Sequence, residues 1–184
     1  MTRPVYIYGS SILRKVAKDI TPDYPELDKI ILDMMETMKH SDGIGLAAPQ
    51  IGLSIRLFVV DGSPLEEDDP SLKDFKKAFI NAKIVERTGD NKIYKEGCLS
   101  IPNLHEEVER EDQIRIRYVD EKFQPHDEIY TGIASRIIQH EYDHLDGILF
   151  PDRMSPLRRK LLAGKLLAIT KGKFEVDYKY RLPK

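Results

Sequence analysis

The chain has 184 residues, of which 41% are hydrophobic and 33% charged, a mix that excludes a disordered or membrane-embedded polymer and suits one compact core. A single domain spanning residues 1–184 is therefore expected. The formal net charge of -2 is unevenly spread: from Arg153 to Lys184, ten Lys/Arg face only Glu175 and Asp177, a local balance of +8 that leaves -10 elsewhere.

In chain order, Met1 to Tyr8 holds no apolar run long enough for a leader, and no later run approaches a membrane span, so the expected address is cytoplasmic. Leu27, Ile30, Ile31, Met34, Met35 and Met38 fall at helical spacing, with Pro25 before them and Gly43 after, and predict an amphipathic helix. Ile55–Asp61 and Phe79–Val85 are β-rich runs, and Ile114 to Tyr118 alternates apolar and polar as a half-buried strand does. Between Gly62 and Ala78, two prolines and the acids Glu66 to Asp69 suit an exposed loop with solvated charges. Ile133 and Ile137 share a helical stripe with His140 and His144, predicting a helix from about 131 to 145 that stops at Gly147. Ser155-Pro156 is a good N-cap and first turn for a basic C-terminal helix over approximately 155–171, carrying Leu157, Leu161, Leu162 and Ile169. No repeated strand-helix-strand unit appears. The expected fold is α+β, with antiparallel β-sheets packed around a central helix that carries the paired histidines.

Three segments carry chemistry. In His140-Glu141-Tyr142-Asp143-His144, two imidazoles four apart on one helix face can reach a single metal ion, with Glu141 beside it as a general base. A solvated or capping histidine pair is the competing explanation. A catalytic site needs three protein ligands and an open position, so the third must come from elsewhere: Cys98, His105, His126 or an acid. His105 and His126 lie in polar, turn-like surroundings and read as surface residues, whereas Cys98 sits in Glu96-Gly97-Cys98-Leu99-Ser100, where Gly97 permits unusual backbone angles. As the only cysteine, Cys98 excludes an intramolecular disulfide, and its thiolate is a strong ligand for zinc or ferrous iron. In Gly43-Ile44-Gly45-Leu46-Ala47-Ala48-Pro49-Gln50, glycines and alanines permit close backbone approach, and Gln50 can donate to an oxyanion. A tight helix-to-strand connection explains that run equally well.

Together, and in this order, the three segments resemble the motifs of the peptide deformylases, over a stretch from about Ser11 to Phe150. The resemblance implies hydrolysis of the formyl group from the N-terminal methionine of a nascent polypeptide, releasing formate. It implies Cys98, His140 and His144 as metal ligands, Glu141 as base and acid, and Gln50 with the backbone N–H of Leu99 as oxyanion donors. It also implies Ile44 and Gly45 as backbone partners of the peptide. Fe2+ is the usual metal of the family, and Zn2+, Ni2+ or Co2+ accept the same ligands. Ile44, Ile133 and Ile137 are candidate walls of a methionine pocket with Arg136 at its rim, and Asp143 or Gln139 are candidates to orient the ligands. The basic C-terminal helix is a candidate ribosome contact, against the alternative of a solvated helix packing its leucines. Rival readings are a small metallopeptidase with a later third ligand, a non-catalytic metal-binding module, and a cysteine hydrolase.

Overall fold

A computed structural model describes all residues, Met1–Lys184. The elements run β1 (Val5–Tyr6), α1 (Leu27–His40), β2 (Gly45–Ala47), β3 (Leu57–Asp61), β4 (Lys76–Cys98), β5 (Ile101–Val119), β6 (Pro125–Thr131), α2 (Gly132–Leu145), α3 (Pro156–Thr170) and β7 (Tyr180–Arg181), with short 3-10 turns between them. Strands β2-β3-β4-β5-β6 form one sheet in that order, antiparallel throughout. A separate parallel pair, β1 with β7, joins the two ends of the chain.

The sheet is a divider between two helices. Along β3, Leu57 and Val59 face α1, packing with Ile30, Ile31, Met34 and Met38, while Phe58 and Val60 face α2, packing with Ile137, Ile138 and Leu145. An apolar run without alternation is what a strand buried on both faces requires. On the α2 side, Phe58 stacks on Phe79 with ring centroids 4.7 Å apart. A third apolar cluster sets Leu162, Leu166 and Ile169 of α3 against Ile101, Leu104 and Val108 of β5 and Ile7 near the chain start.

Helix α2 follows β6 directly, so the strand's end fixes where the helix begins. Gly147, at φ 71°, stops it, and Ile148 N–H reaches back to Asp143 O at 2.9 Å to close the last turn. Helix α3 starts where Ser155 accepts the Arg158 N–H.

The strands differ from expectation in extent. β4 and β5 run for 23 and 19 residues, far beyond 79–85 and 114–118, and are joined by a two-residue turn, Leu99-Ser100, with Cys98 paired to Ile101. The loop after Gly62 ends at Asp74–Phe75, so Lys76 to Ala78 belong to β4. His105 and His126 lie on strands β5 and β6, not in turns. Leu157 and Leu161 of α3 stay exposed.

Candidate metal centre and active site

The long hairpin brings its turn against α2, so Cys98 at the end of β4 meets the two histidines of the helix. Cys98 Sγ lies 3.4 Å from His144 Nε2, and ligand atoms of Cys98, His140 and His144 all fall within 4.8 Å of one another. His105 and His126 are not in this group.

The donor set fits a divalent ion. His140 donates its Nδ1–H to Glu96 Oε2 at 2.9 Å, which leaves Nε2 for a metal, as ligating histidines are usually arranged. Burial and the neighbouring His140 hold the His144 pKa well below its ordinary value, keeping the ring neutral as a ligand must be. For His140, burial works against the charged form, but hydrogen bonds to Cys98 and Glu96 outweigh it and raise the pKa. A metal held by one cysteine sulfur and two imidazoles would have three protein ligands, the number of a catalytic rather than a structural site.

Glu96, and neither Asp143 nor Gln139 as the sequence suggests, is the partner of the His140 ring. Gln139 instead bonds Ser135 Oγ and Glu111 O, and Asp143 is held by Arg110 and Arg153. Arg110 grips Glu96 with two bonds of 2.7 and 2.8 Å, and Arg136 adds a third at 2.9 Å. Arg136 is therefore a buried network member rather than a free rim cation, although it does line the cavity. Burial alone would raise the Glu96 pKa; the Arg110 and His140 contacts outweigh it and hold the carboxyl well below the usual range. Because Glu96 sits two residues before Cys98 and binds the helix, this network sets the hairpin in register with the histidines.

Glu141 is buried beside the candidate ligands, and its Oε2 has no hydrogen-bond partner. Burial pushes its pKa up to about 7. Gly45 makes the carboxyl's position possible: a Cβ there would fall 2.7 Å from Glu141 Cδ. Gly97 has a similar steric reason, because a Cβ would fall 2.6 Å from the His105 ring; its φ is not in the left-handed region, so the expected unusual backbone angle is absent.

Gln50 is pinned at its oxygen, which accepts the Ala47 N–H at 2.8 Å, so Nε2 points to Ser100 Oγ at 3.2 Å and Cys98 Sγ at 3.5 Å. The Leu99 N–H makes no backbone hydrogen bond. Gln50, Cys98, Leu99, His140 and Glu141 all line one cavity of about 780 Å3, within the size range of small-ligand sites. Ile44, Gly45, Ile133 and Ile137 line it too. His144 is buried at 1% exposure behind them. Leu65 and Asp68, in the loop read as merely solvated, also reach this cavity, as do Tyr94 and His105. Nothing local in the sequence marks Leu65, Asp68 or Tyr94, which only the tertiary fold brings to the cavity; His105, a candidate ligand by residue type, lines it without joining the donor group.

A sequence model of the polypeptide deformylase family matches residues 2–160. The chain belongs to the peptide deformylase family. It is 47% identical to the peptide deformylase of Christiangramia forsetii, over 100% of this chain and 97% of that one. Among solved structures, the Legionella pneumophila peptide deformylase superposes with a TM-score of 0.81 at 34% identity, covering 94% of this chain and 98% of its own. The Acinetobacter baumannii class I type b peptide deformylase with Met-Ala-Ser bound superposes with a TM-score of 0.76 at 30% identity, covering 84% and 99%. This deformylase is accordingly a metal-dependent hydrolase that removes the N-formyl group from the N-terminal methionine of newly made proteins, releasing formate.

Proposed function

We propose that the deformylation is carried out by Glu141 as the proton-transferring group, by Gln50 and the Leu99 N–H as oxyanion donors, and by Cys98, His140 and His144 as the ligands of one Fe2+ ion. The observation that carries this reading is convergence: an unpartnered buried carboxylate oxygen, a cysteine sulfur with two imidazoles, and a pinned amide meet in and just behind one cavity. When bound, the cation supplies Lewis acidity and lowers the pKa of a water to near ~7. Glu141, itself raised to about 7, takes the proton of the attacking water and returns it to the leaving nitrogen, so that formate and a free amine result. Gln50 Nε2 and the Leu99 N–H stabilise the charge that develops on the formyl oxygen, one such donor typically being worth about 2.7–4 kcal/mol.

Ile44, Ile133 and Ile137 offer an apolar wall for the methionine side chain, and the backbone of Ile44 and Gly45 offers hydrogen bonds to the peptide. The whole of residues 1–184 acts as one catalytic domain in the cytosol. A mixed thiolate and imidazole set suits ferrous iron, and Zn2+, Ni2+ and Co2+ accept it as well. The test is formate release from formyl-Met-Ala-Ser by anaerobically purified protein, with the metal content measured. Glu141→Ala should lose roughly 10²–10⁴-fold in kcat while keeping its metal. Activity that survives this substitution overturns the mechanism, and metal retained by Cys98→Ala reassigns the third ligand.

A ribosome contact through α3 is the second part of this reading. Leu157, Leu161 and Leu167 are 70%, 67% and 55% exposed, interleaved with Lys160 and Lys165, a surface suited to RNA or an acidic protein. Co-sedimentation with ribosomes that weakens steeply with salt is expected, and salt-insensitive or absent binding removes the idea.

A further inference from the structure

We infer that the segment after α3 is a working part of the active site, with Tyr178 as a positioning residue for the turn that carries Leu99. This rests on the proposed roles of Leu99 and Gln50 as oxyanion donors. The family model ends at residue 160, so Tyr178 lies outside the matched stretch.

The segment returns to the hairpin because β7 pairs with β1. Val5 N–H donates to Lys179 O and Ile7 N–H to Arg181 O, each at 2.9 Å. Phe174 packs edge-on against Tyr180 with centroids 4.9 Å apart, and Asn103 of β5 donates to Glu175 O at 3.4 Å. The half-buried Tyr178 thereby donates its hydroxyl to Leu99 O at 2.8 Å, across 79 residues of sequence. Val176 and Tyr178 line the same cavity as Cys98 and Glu141.

The Leu99-Ser100 turn is only two residues long, and both its carbonyls are held by the chain's ends: Tyr8 N–H donates to Ser100 O at 2.8 Å, and Tyr178 holds Leu99 O. Fixing the Leu99 carbonyl restricts rotation about the residue whose N–H must aim at the oxyanion, and preorganised donors are the effective ones. Burial, with the nearby Cys98, raises the Tyr178 pKa, so the phenol stays a donor.

Tyr178→Phe keeps the ring and removes the bond. On formyl-Met-Ala-Ser its kcat should fall about 3- to 10-fold, the range set by one ordinary hydrogen bond, with KM, metal content and Tm essentially unchanged. Tyr178→Ala should in addition raise KM, because a cavity wall is lost. Unaltered kcat in Tyr178→Phe overturns the inference, and so does a lowered Tm with full activity per folded molecule. Should Tyr178→Ala fail to fold, Tyr178→Phe alone decides. Gln50→Ala, assayed in parallel, separates the two levels: if it loses kcat while Tyr178→Phe does not, only the terminal segment's role falls. If both are inert, the oxyanion reading falls with it.

Discussion

His140 Nδ1 lies 2.9 Å from Glu96 Oε2, a bond that ties the helix carrying two of the candidate metal ligands to the strand carrying the third. Glu96 also accepts from Arg110 and Arg136, so one carboxylate fixes both the orientation of His140 and the approach of Cys98.

Glu96→Gln keeps the shape and removes the charge. Metal affinity, measured by chelator competition, should fall about 10–100-fold, as is typical when a histidine ligand loses its outer partner. The unfolding midpoint should drop as well, because Arg110, at 2% exposure, keeps its charge and loses its main counter-ion. A folded Glu96→Gln with wild-type affinity would show that His140 needs no such partner.

Gly45→Ala tests how tightly the Glu141 carboxyl is held. The added methyl would overlap the carboxyl group, so Glu141 must move from its place. A displacement of about 1 Å at a reacting group typically costs ~10²-fold in rate. The expectation is a loss of that order in kcat, with the metal bound as before, read by single-turnover formate release. Full activity would mean that Glu141 has room to work from another rotamer.

What the sequence revealed depended on whether the signal was local. Helices α1, α2 and α3 were legible from apolar spacing, and Gly147 and Ser155 from the demands of helix ends. The middle of β4 was not: residues 86–95 are half or fully exposed, so no burial period marks them as strand. The candidate site was legible where a few neighbouring residues define the chemistry, as in His140 to His144. Glu96 and Arg110 were illegible as partners because only the hairpin register brings them together. Tyr178 reaches Leu99 through the pairing of the first and last strands, for which two-residue elements leave no pattern.

Glu128 gives a pH dependence away from the metal centre. Burial opposes its charge, but hydrogen bonds from Tyr130, Tyr118 and Lys77 outweigh this and hold its pKa below the usual value. A carboxyl with a depressed folded-state pKa adds stability above its unfolded value of about 4.3 and loses it as pH falls through the folded value. Wild type should therefore lose more stability than Glu128→Gln between pH 6 and pH 3, by urea unfolding in matched buffers. Parallel pH curves for the two proteins would exclude Glu128 from the acid transition.

Substrate choice is best probed at Ile133, not Ile137. Both line the cavity, but Ile137 is 4% exposed and part of the core facing Phe58 and Phe79, where a larger side chain would cost about 1–3 kcal/mol through overpacking. Ile133 is only half-buried, in the first turn of α2, so Ile133→Trp can fill the cavity with less strain on the core. If this wall receives the methionine side chain, KM for formyl-Met-Ala-Ser should rise roughly 10-fold or more, since apolar pockets discriminate by ~10–200-fold per methylene. With kcat little changed, the loss would be one of uniform binding. An unchanged KM with Tm intact would take Ile133 out of the methionine pocket and shift its wall toward Ile44 and Leu65 on the neighbouring loop segments.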